Sequence, residues 1–260
     1  MSDAATRDTA HQHRDIAYVH DGTEMLGYLV APVEGEPRPG ILLLHDAFGI
    51  TDDLKDTARR YAELGYDVFA ADIWGERRTP AGGEEIGPMI GSMVGDRARW
   101  MGRIGAAHEA FVAQGEVDAA AIVAVGYCFG GSSGLEYLRH GGGLRGVASI
   151  HGGLDLLEYD WPEQRPDASV LVCTGAEDPM ATAEHRASLT AALSSARVDW
   201  EIDLYSGAKH AFTNPKSDLP GMPPGVGYHP RAAARAWETT VRFLAETLTG
   251  TPPRPSAPPA

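Results

Sequence analysis

Residues 122–131, IVAVGYCFGG, join a continuous apolar run to a cysteine that stands between glycines. A short apolar run of this kind is typical of a strand that is buried on both faces of a sheet. Gly126 and Gly130, two positions before and two after Cys128, allow the backbone to turn sharply from that strand into a helix. The turn would lift the Cys128 thiol above the sheet at a helix N-terminus, where the helix dipole favours a thiolate.

On either side of this stretch, short apolar runs alternate with segments of helical spacing. Two β-rich runs that flank Asp21 and Gly22 predict an antiparallel hairpin at the start. Further strands are predicted at 41–45, 66–72, 122–126, 147–151, 170–175 and 200–205, and helices at 54–65, 96–114, 132–140, 182–195 and 230–248. This order predicts an α/β fold, with a mostly parallel central sheet and helices on both faces. Sites in such sheets form at the carboxyl ends of the strands.

The composition is that of one globular domain with two polar ends. The chain has 260 residues, of which 43% are hydrophobic and 22% are charged, close to the average for soluble proteins. Residues 15–249 contain no second linker and are predicted to form a single domain. Residues 1–14 are polar without periodicity and residues 250–260 are rich in proline, so both ends are predicted to be disordered.

The charge and the cysteine content exclude several classes of protein. A net charge of −14 opposes binding to nucleic acids and to anionic membrane surfaces. No apolar run approaches the roughly 18 residues of a membrane span, and the N-terminus lacks the apolar core of a secretory signal. Two cysteines are too few for a disulfide framework. We therefore expect a cytoplasmic protein with a small-molecule partner, either a monomer or a homodimer.

Two polar residues downstream of Cys128 each follow a predicted strand. Asp178 comes after the strand at 170–175, and His210 comes after the next strand. Nucleophile, acid and histidine in this chain order are the arrangement of the α/β-hydrolase fold. The order predicts Cys128 as the nucleophile, His210 as the base and Asp178 as the residue that orients the histidine. Asp155, one strand before Asp178, is a rival for the acid.

Three other residues at or near strand ends have structural interpretations. Cys173 lies inside an apolar strand and is predicted to be an inert core thiol. His45 and His151 also follow strands. We interpret each of these histidines as structural, with a role in shaping a pocket as the alternative.

Three motifs in this order resemble the dienelactone hydrolase family. They are GYCFGG at 126–131, LHDAFG at 44–49 and KHAF at 209–212, and the likeness covers roughly residues 25–248. The resemblance implies an α/β-hydrolase fold without a large lid, a Cys-His-Asp triad, and neither a cofactor nor a metal. It also implies that the protein hydrolyses a small ester or lactone through a cysteine acyl-enzyme.

The resemblance further assigns supporting residues by position. The backbone N–H groups of Ala47 and Phe129 are implied to form the oxyanion hole. Asp46 stands where family members often carry a carboxylate, commonly Glu, close to the resting thiol. A loop or helix-capping aspartate is the equal alternative for Asp46.

The remaining pocket candidates lie on predicted loops. Met89 and Met93 fall in a glycine-rich segment before the helix at 96, which could line an apolar pocket or only pack against helices. The other pocket candidates are Phe48 and Trp74, which follow the strands predicted at 41–45 and 66–72, and Asn214, which lies four residues after His210.

The sequence departs from the founding dienelactone hydrolases at two positions. Those enzymes hold the substrate carboxylate with arginines where this chain has Glu76 and Asn214. Arg77 and Arg78 stand nearby but out of register. We therefore expect neutral esters or lactones to be preferred. An acyltransferase or a ligand-binding module on the same fold remains the alternative to a hydrolase.

Overall fold

A computed structural model describes residues 11–32 and 36–249 of the chain. The strands are β1 (His11–His20), β2 (Thr23–Pro32), β3 (Arg38–Leu44), β4 (Asp67–Ala71), β5 (Val117–Tyr127), β6 (Gly146–Ile150), β7 (Ser169–Gly175) and β8 (Asp199–Tyr205). The helices are α1 (Asp52–Ala62), α2 (Gly83–Val94), α3 (Arg97–Val112), α4 (Phe129–Arg139), α5 (Ala183–Ser195) and α6 (Pro230–Thr249). Two short 3₁₀ helices span Leu154–Leu156 and Pro215–Asp218.

The described strands form one eight-stranded sheet in the order β1-β2-β4-β3-β5-β6-β7-β8. The strands β1 and β2 are antiparallel to their neighbours, and β3 to β8 are parallel. The α/β fold with a mostly parallel sheet is therefore confirmed. Because β3 to β8 run in one direction, their carboxyl ends meet along one edge, where the candidate residues follow them.

Two layers of helices bury the sheet. Alternate residues of β3 point to opposite faces, so Leu42 and Leu44 join one apolar cluster while Ile41 and Leu43 join the other. The first cluster includes buried residues of α3, α4 and α5, and the second includes those of α1 and α6. Within the described residues, no helix is both long and apolar enough to cross a membrane.

The first strand begins earlier than the sequence predicted. Residues 11–14 pair with β2, starting with His11 opposite Pro32, so the boundary predicted at residue 15 is four residues too late. Residues 11–14, HQHR, are all polar, and the strand alternates between half-buried and exposed positions without a fully buried one, which is why apolar periodicity missed its start. The Asp21 and Gly22 turn is confirmed, with φ values of 47° and 74°. Residues 1–10 and the proline-rich residues 250–260 lie outside the described residues.

The glycine-rich segment before α3 contains a helix, so the predicted loop is wrong for the residues of α2. The apolar side chains of α2 recur at the helical spacing i, i+3, i+4, i+7: Ile86, Met89, Ile90 and Met93. The glycines of this segment and Pro88 hide that spacing, because both residue types disfavour helix interiors. Packing of the apolar side of α2 against the core outweighs those propensities.

Candidate active site

The turn from β5 into α4 places Cys128 at its tip. Cys128 has φ 53° and ψ −118°, a left-handed conformation that is rare for a residue with a side chain. A Cβ on Gly126 would stand 2.1 Å from the carbonyl oxygen of Gly130, and one on Gly130 would stand 2.1 Å from that of Leu44. Both positions therefore require glycine, as the spacing of the motif predicted.

Three side chains from different strand ends meet at this turn. The Nε2 atom of His210 lies 3.1 Å from Cys128 Sγ, and its Nδ1 atom lies 3.0 Å from Asp178 Oδ2. An ionised carboxylate can only accept, so Nδ1 carries the proton and Nε2 faces the sulfur. The other oxygen of Asp178 accepts from the N–H of Met180 at 2.8 Å. Asp178 and His210 are buried, whereas Cys128 is partly exposed.

The partners of His210 control its charge. Burial by itself would lower the pKa of this imidazole, because it disfavours the charged form. The charge of Cys128 and the hydrogen bond that His210 donates to Asp178 oppose that effect and raise the pKa of His210 to about 10. The two partners therefore favour the protonated imidazole of His210, with Asp178 on one side of the ring and the sulfur of Cys128 on the other.

The rival acid lies within electrostatic range of His210 but makes no hydrogen bond to it among the described residues. Asp155 belongs to the 3₁₀ helix Leu154–Leu156 and is exposed. Among the described residues, Asp178 is the carboxylate hydrogen-bonded to His210. Geometry therefore favours Asp178 over Asp155 as the orienting acid.

Two backbone N–H groups at the ends of β3 and β5 have no acceptor among the described residues. One belongs to Phe129, the first residue of α4, whose N–H has no acceptor within the helix. The other belongs to Ala47, just after β3. The start of α4 lies against the end of β3, because a Cβ on Gly130 would also contact the carbonyl oxygen of His45 at 2.7 Å. The two candidate oxyanion donors thus come from neighbouring strand ends.

The carboxylate of Asp46 closes a local turn. Its Oδ1 accepts from the N–H of Phe48 at 2.8 Å, the contact of a loop aspartate. Burial raises the pKa of Asp46 to about 6, while the nearby His210 acts in the opposite direction. The carboxyl group therefore lies within electrostatic range of the candidate base.

The other pocket candidates occupy different depths. Phe48 is exposed, and Met89 is half-buried on α2. Trp74 and Met93 are buried, so they lie beneath the surface of the site. Asn214 caps the 3₁₀ helix that follows His210, where its Oδ1 accepts from the N–H of Lys216 at 2.9 Å.

Arg77 and Arg78, the arginines next to the Glu76 position, form hydrogen bonds and ion pairs with other parts of the chain. Arg77 donates to the carbonyl oxygens of Leu26 and Gly27 and pairs with Asp15 at 2.8 Å. Arg78 pairs with Glu76 at 2.8 Å on the surface. Neither guanidinium is directed toward Cys128 by these bonds, so neither arginine is held as a fixed cation for a substrate carboxylate at the site.

His151, predicted from the sequence as structural with pocket shaping as the alternative, contacts the cysteine turn. The backbone N–H of Cys128 is shared between the carbonyl oxygen of Ile150 at 3.0 Å and the Nδ1 atom of His151 at 3.2 Å, and the Nε2 atom of His151 lies 2.8 Å from Thr213 Oγ1. Because an N–H points at Nδ1, the proton is on Nε2 and donates to the Thr213 hydroxyl. His151 thereby links the cysteine turn to the loop that carries His210. Its place after β6, the strand next to β5, is the sequence signal that could have identified it.

Known proteins match the chain over most of its length. The sequence model of the dienelactone hydrolase family matches residues 25–248. A Bradyrhizobium protein named "Probable 2-oxo-3-(5-oxofuran-2-ylidene)propanoate lactonase" is 26% identical over 246 residues, covering 88% of this chain and 92% of its own. The solved structure of a dienelactone hydrolase-like promiscuous phosphotriesterase from metagenomic libraries has a TM-score of 0.83 and 35% identity, covering 92% of this chain and 99% of its own. A second solved structure, named m3DLH, has a TM-score of 0.82 and 36% sequence identity, covering 92% of this chain and 100% of its own.

Proposed function

The chain belongs to the dienelactone hydrolase family and is a hydrolase of esters or lactones, and we propose that it acts through a cysteine acyl-enzyme. The observation that carries this mechanism is the contact chain from Cys128 Sγ through His210 to Asp178, with both distances close to 3 Å. A nucleophile in hydrogen-bond reach of a base, with the base held by a third group, is the geometry that covalent acyl transfer requires.

The first step forms the acyl-enzyme. The Cys128 thiolate attacks the carbonyl carbon, and the carbonyl electron pair moves onto oxygen. The N–H groups of Ala47 and Phe129 then bind this oxyanion, each contributing about 3 kcal/mol in comparable sites. When the intermediate collapses, the bond to the leaving oxygen breaks, and the imidazolium of His210 gives that oxygen its proton.

The second step releases the acid. The neutral imidazole of His210 removes a proton from water, and the resulting hydroxide attacks the thioester carbon. The tetrahedral intermediate collapses with the Cys128 thiolate as leaving group, which restores the thiolate and imidazolium pair. Asp178 stabilises the imidazolium throughout, because its carboxylate accepts from Nδ1.

We further propose that the substrate is uncharged near its reacting carbonyl. Arg77 and Arg78 are bonded away from Cys128, and Asn214 caps a 3₁₀ helix rather than carrying a cation. The −14 net charge of the chain adds a weak opposing field. A neutral ester should therefore exceed the matched carboxylated substrate in kcat/KM by about tenfold, equivalent to roughly 1.4 kcal/mol.

Phosphotriester hydrolysis is a second candidate activity. The 35% identical neighbour is named a promiscuous phosphotriesterase, and a phosphotriester is an uncharged ester, which suits a site without a fixed cation. Transfer of the acyl group to a specific acceptor, or ligand binding without turnover, would be the remaining alternatives for the same residues.

A substrate panel tests these proposals. Wild type and Cys128→Ala are compared on neutral p-nitrophenyl esters, a thioester, a dienelactone acid with its methyl ester, and a p-nitrophenyl phosphotriester. We expect ester turnover by the wild type alone, with the methyl ester faster than the free acid. Equal rates for Cys128→Ala would overturn the cysteine mechanism, and faster turnover of the free acid would overturn the neutral substrate. Product formed only when an acceptor alcohol is added would indicate acyl transfer.

Alkylation identifies the reactive thiol. Iodoacetamide should modify Cys128 at the rate at which activity is lost. Cys173 is buried, and burial raises the pKa of its thiol to about 12, so it should react far more slowly. Peptide mass spectrometry distinguishes the two, and inactivation that follows modification of Cys173 would refute the assignment.

A further inference from the structure

The peptide that carries the Ala47 N–H is held from its opposite side by His45. The Nδ1 atom of His45 lies 2.6 Å from the carbonyl oxygen of Asp46. That carbonyl and the Ala47 N–H belong to one peptide group. His45 itself is completely buried just after β3, where the sequence predicted a structural residue with pocket shaping as the alternative.

The direction of this hydrogen bond follows from the other ring nitrogen. The backbone N–H of Ile73, just beyond β4, lies 3.1 Å from His45 Nε2. Because this N–H can only donate, Nε2 must accept and the proton must be on Nδ1. Burial lowers the pKa of His45, which keeps the ring neutral. His45 therefore donates to the Asp46 carbonyl.

Peptide geometry converts this contact into an orientation of the Ala47 N–H. In a trans peptide the C=O and N–H bonds point in opposite directions, and the described chain contains no cis peptides. A donor that binds the Asp46 oxygen from the protein interior directs the Ala47 N–H the other way. The same bond polarises the peptide and makes its N–H a stronger donor.

Neighbouring contacts restrain the loop further. The indole Nε1 of Trp74 donates to the carbonyl oxygen of Ala47 at 3.2 Å, and the Trp74 ring stacks on Phe129 with centroids 4.7 Å apart. One side chain from beyond β4 thus touches both residues that supply candidate oxyanion donors. The His45 ring lies 5.3 Å from the Trp74 ring. The carbonyl oxygen of Asp46 thus accepts from His45 at 2.6 Å and from the Gly49 N–H at a longer 3.4 Å, and Trp74 holds the carbonyl of the next peptide.

We propose that His45 is a positioning residue that aims the Ala47 N–H at the oxyanion of the tetrahedral intermediate. Through His45, the end of β4 sets the direction of a donor at the end of β3. This inference rests on the proposed acyl-enzyme function. It concerns stabilisation of the oxyanion and not the activation of Cys128, so the two roles respond to different measurements.

The test compares His45→Leu with His45→Asn, two side chains of similar shape. Leu removes the donor, whereas the Asn side-chain amide can place an N–H near the position of Nδ1. We expect His45→Leu to lose about 10²-fold in kcat on a neutral ester with little change in KM, the loss that follows removal of one oxyanion donor. His45→Asn should recover most of that loss. Alkylation of Cys128 by iodoacetamide forms no oxyanion, so its rate should stay unchanged in both variants.

His108→Leu is the matched control. His108 is another buried histidine, and its Nδ1 lies 3.1 Å from the hydroxyl of Tyr137, away from the candidate triad. This variant should keep the wild-type kcat, which separates the effect of His45 from the general cost of replacing a buried histidine.

Several outcomes would overturn the inference. An unchanged kcat in His45→Leu, an equal loss in His45→Asn, or a parallel loss of alkylation rate would each do so. If His45→Leu does not fold, His45→Asn decides alone: kcat within about tenfold of wild type supports the inference, and a loss of about 10²-fold overturns it. Failure of the proposed function is distinguishable, because the wild type would then not hydrolyse esters or Cys128→Ala would match it.

Discussion

His151 and His210 stand at neighbouring points of the same sheet edge and differ in almost every chemical respect. Both are 3% exposed, and their rings meet edge to face with centroids 5.5 Å apart. The pKa of His210 is raised to about 10 by Cys128 and Asp178 against the effect of burial. Burial, together with the charge of His210, lowers the pKa of His151 well below its usual value.

Because the two histidines are equally buried, the difference between their pKa shifts comes from their partners, which outweigh the effect of burial at His210 and add to it at His151. His210 has an acceptor on one nitrogen and a sulfur on the other, so a positive charge is stabilised there. His151 receives an N–H on Nδ1, a contact that only a neutral ring can make. A second imidazolium beside His210 would repel it, so the neutral His151 preserves the charged pair.

Of the substitutions at these histidines and their partners, replacement of His210 should cause the largest loss of activity. His210→Gln keeps a polar side chain but supplies no base, so we expect kcat for a neutral ester to fall by about six orders of magnitude, as when one member of a catalytic unit is lost. Steady-state kinetics on the purified, folded variant checks this. Retention of more than about a thousandth of the activity would mean that another base serves Cys128.

Neutralising the acid should have the next largest effect. Asp178→Asn keeps the size of the side chain but favours the wrong tautomer of His210, so kcat should fall by about three to four orders of magnitude. Asp155→Asn is the matched control and should stay near the wild-type rate. A reversal, with the large loss in Asp155→Asn, would transfer the orienting role to that residue.

Replacing His151, the neutral histidine, should cause a smaller loss of activity. His151→Phe deletes the bond to the Thr213 hydroxyl, worth about 1 kcal/mol, and one of the two acceptors of the Cys128 N–H, which keeps the carbonyl oxygen of Ile150. We expect kcat/KM to fall by about tenfold as the Cys128 turn and the loop of His210 loosen. Thr213→Val removes one of these bonds and should show a smaller loss. Wild-type kinetics in His151→Phe would show that the link is dispensable.

The two histidines should also make stability depend on pH in opposite directions. The pKa of His210 is raised from 6.5 to about 10, so its stabilising contribution is complete below about pH 6.5 and is lost as pH rises through 10. The pKa of His151 is lowered, so its neutral ring favours the folded state above about pH 6.5, and this contribution is lost as pH falls.

Urea unfolding between about pH 4.5 and 10.5 measures both contributions. The free-energy difference between wild type and His210→Gln should shrink toward the alkaline end, and that between wild type and His151→Phe toward the acid end. Slopes of the same sign for the two variants would contradict the opposite charge states of the two rings.

The sequence identified the parts of the site that depend on local pattern. The glycines around Cys128 predict a sharp turn that only small residues permit. The strands before Asp178 and His210 are predicted from their short apolar runs. Because parallel strands end at one edge, chain order alone was enough to expect that the three residues meet. Local patterns fail where packing opposes them, as in the glycine-containing helix α2 and the polar edge strand β1.

The amino-acid sequence by itself determined the sheet, the cysteine turn and the order of the candidate residues, because each is encoded in periodicity or in glycine at a crowded position. The tertiary structure alone decided that Asp178 rather than Asp155 bonds His210, that Arg77 turns toward β2, and that His45 donates to the Asp46 carbonyl. These features depend on distances between segments that are far apart in the chain. The protonation of a buried ring and the direction of its hydrogen bonds depend on all the groups around it. These groups come from distant parts of the chain, so no local stretch of sequence specifies them.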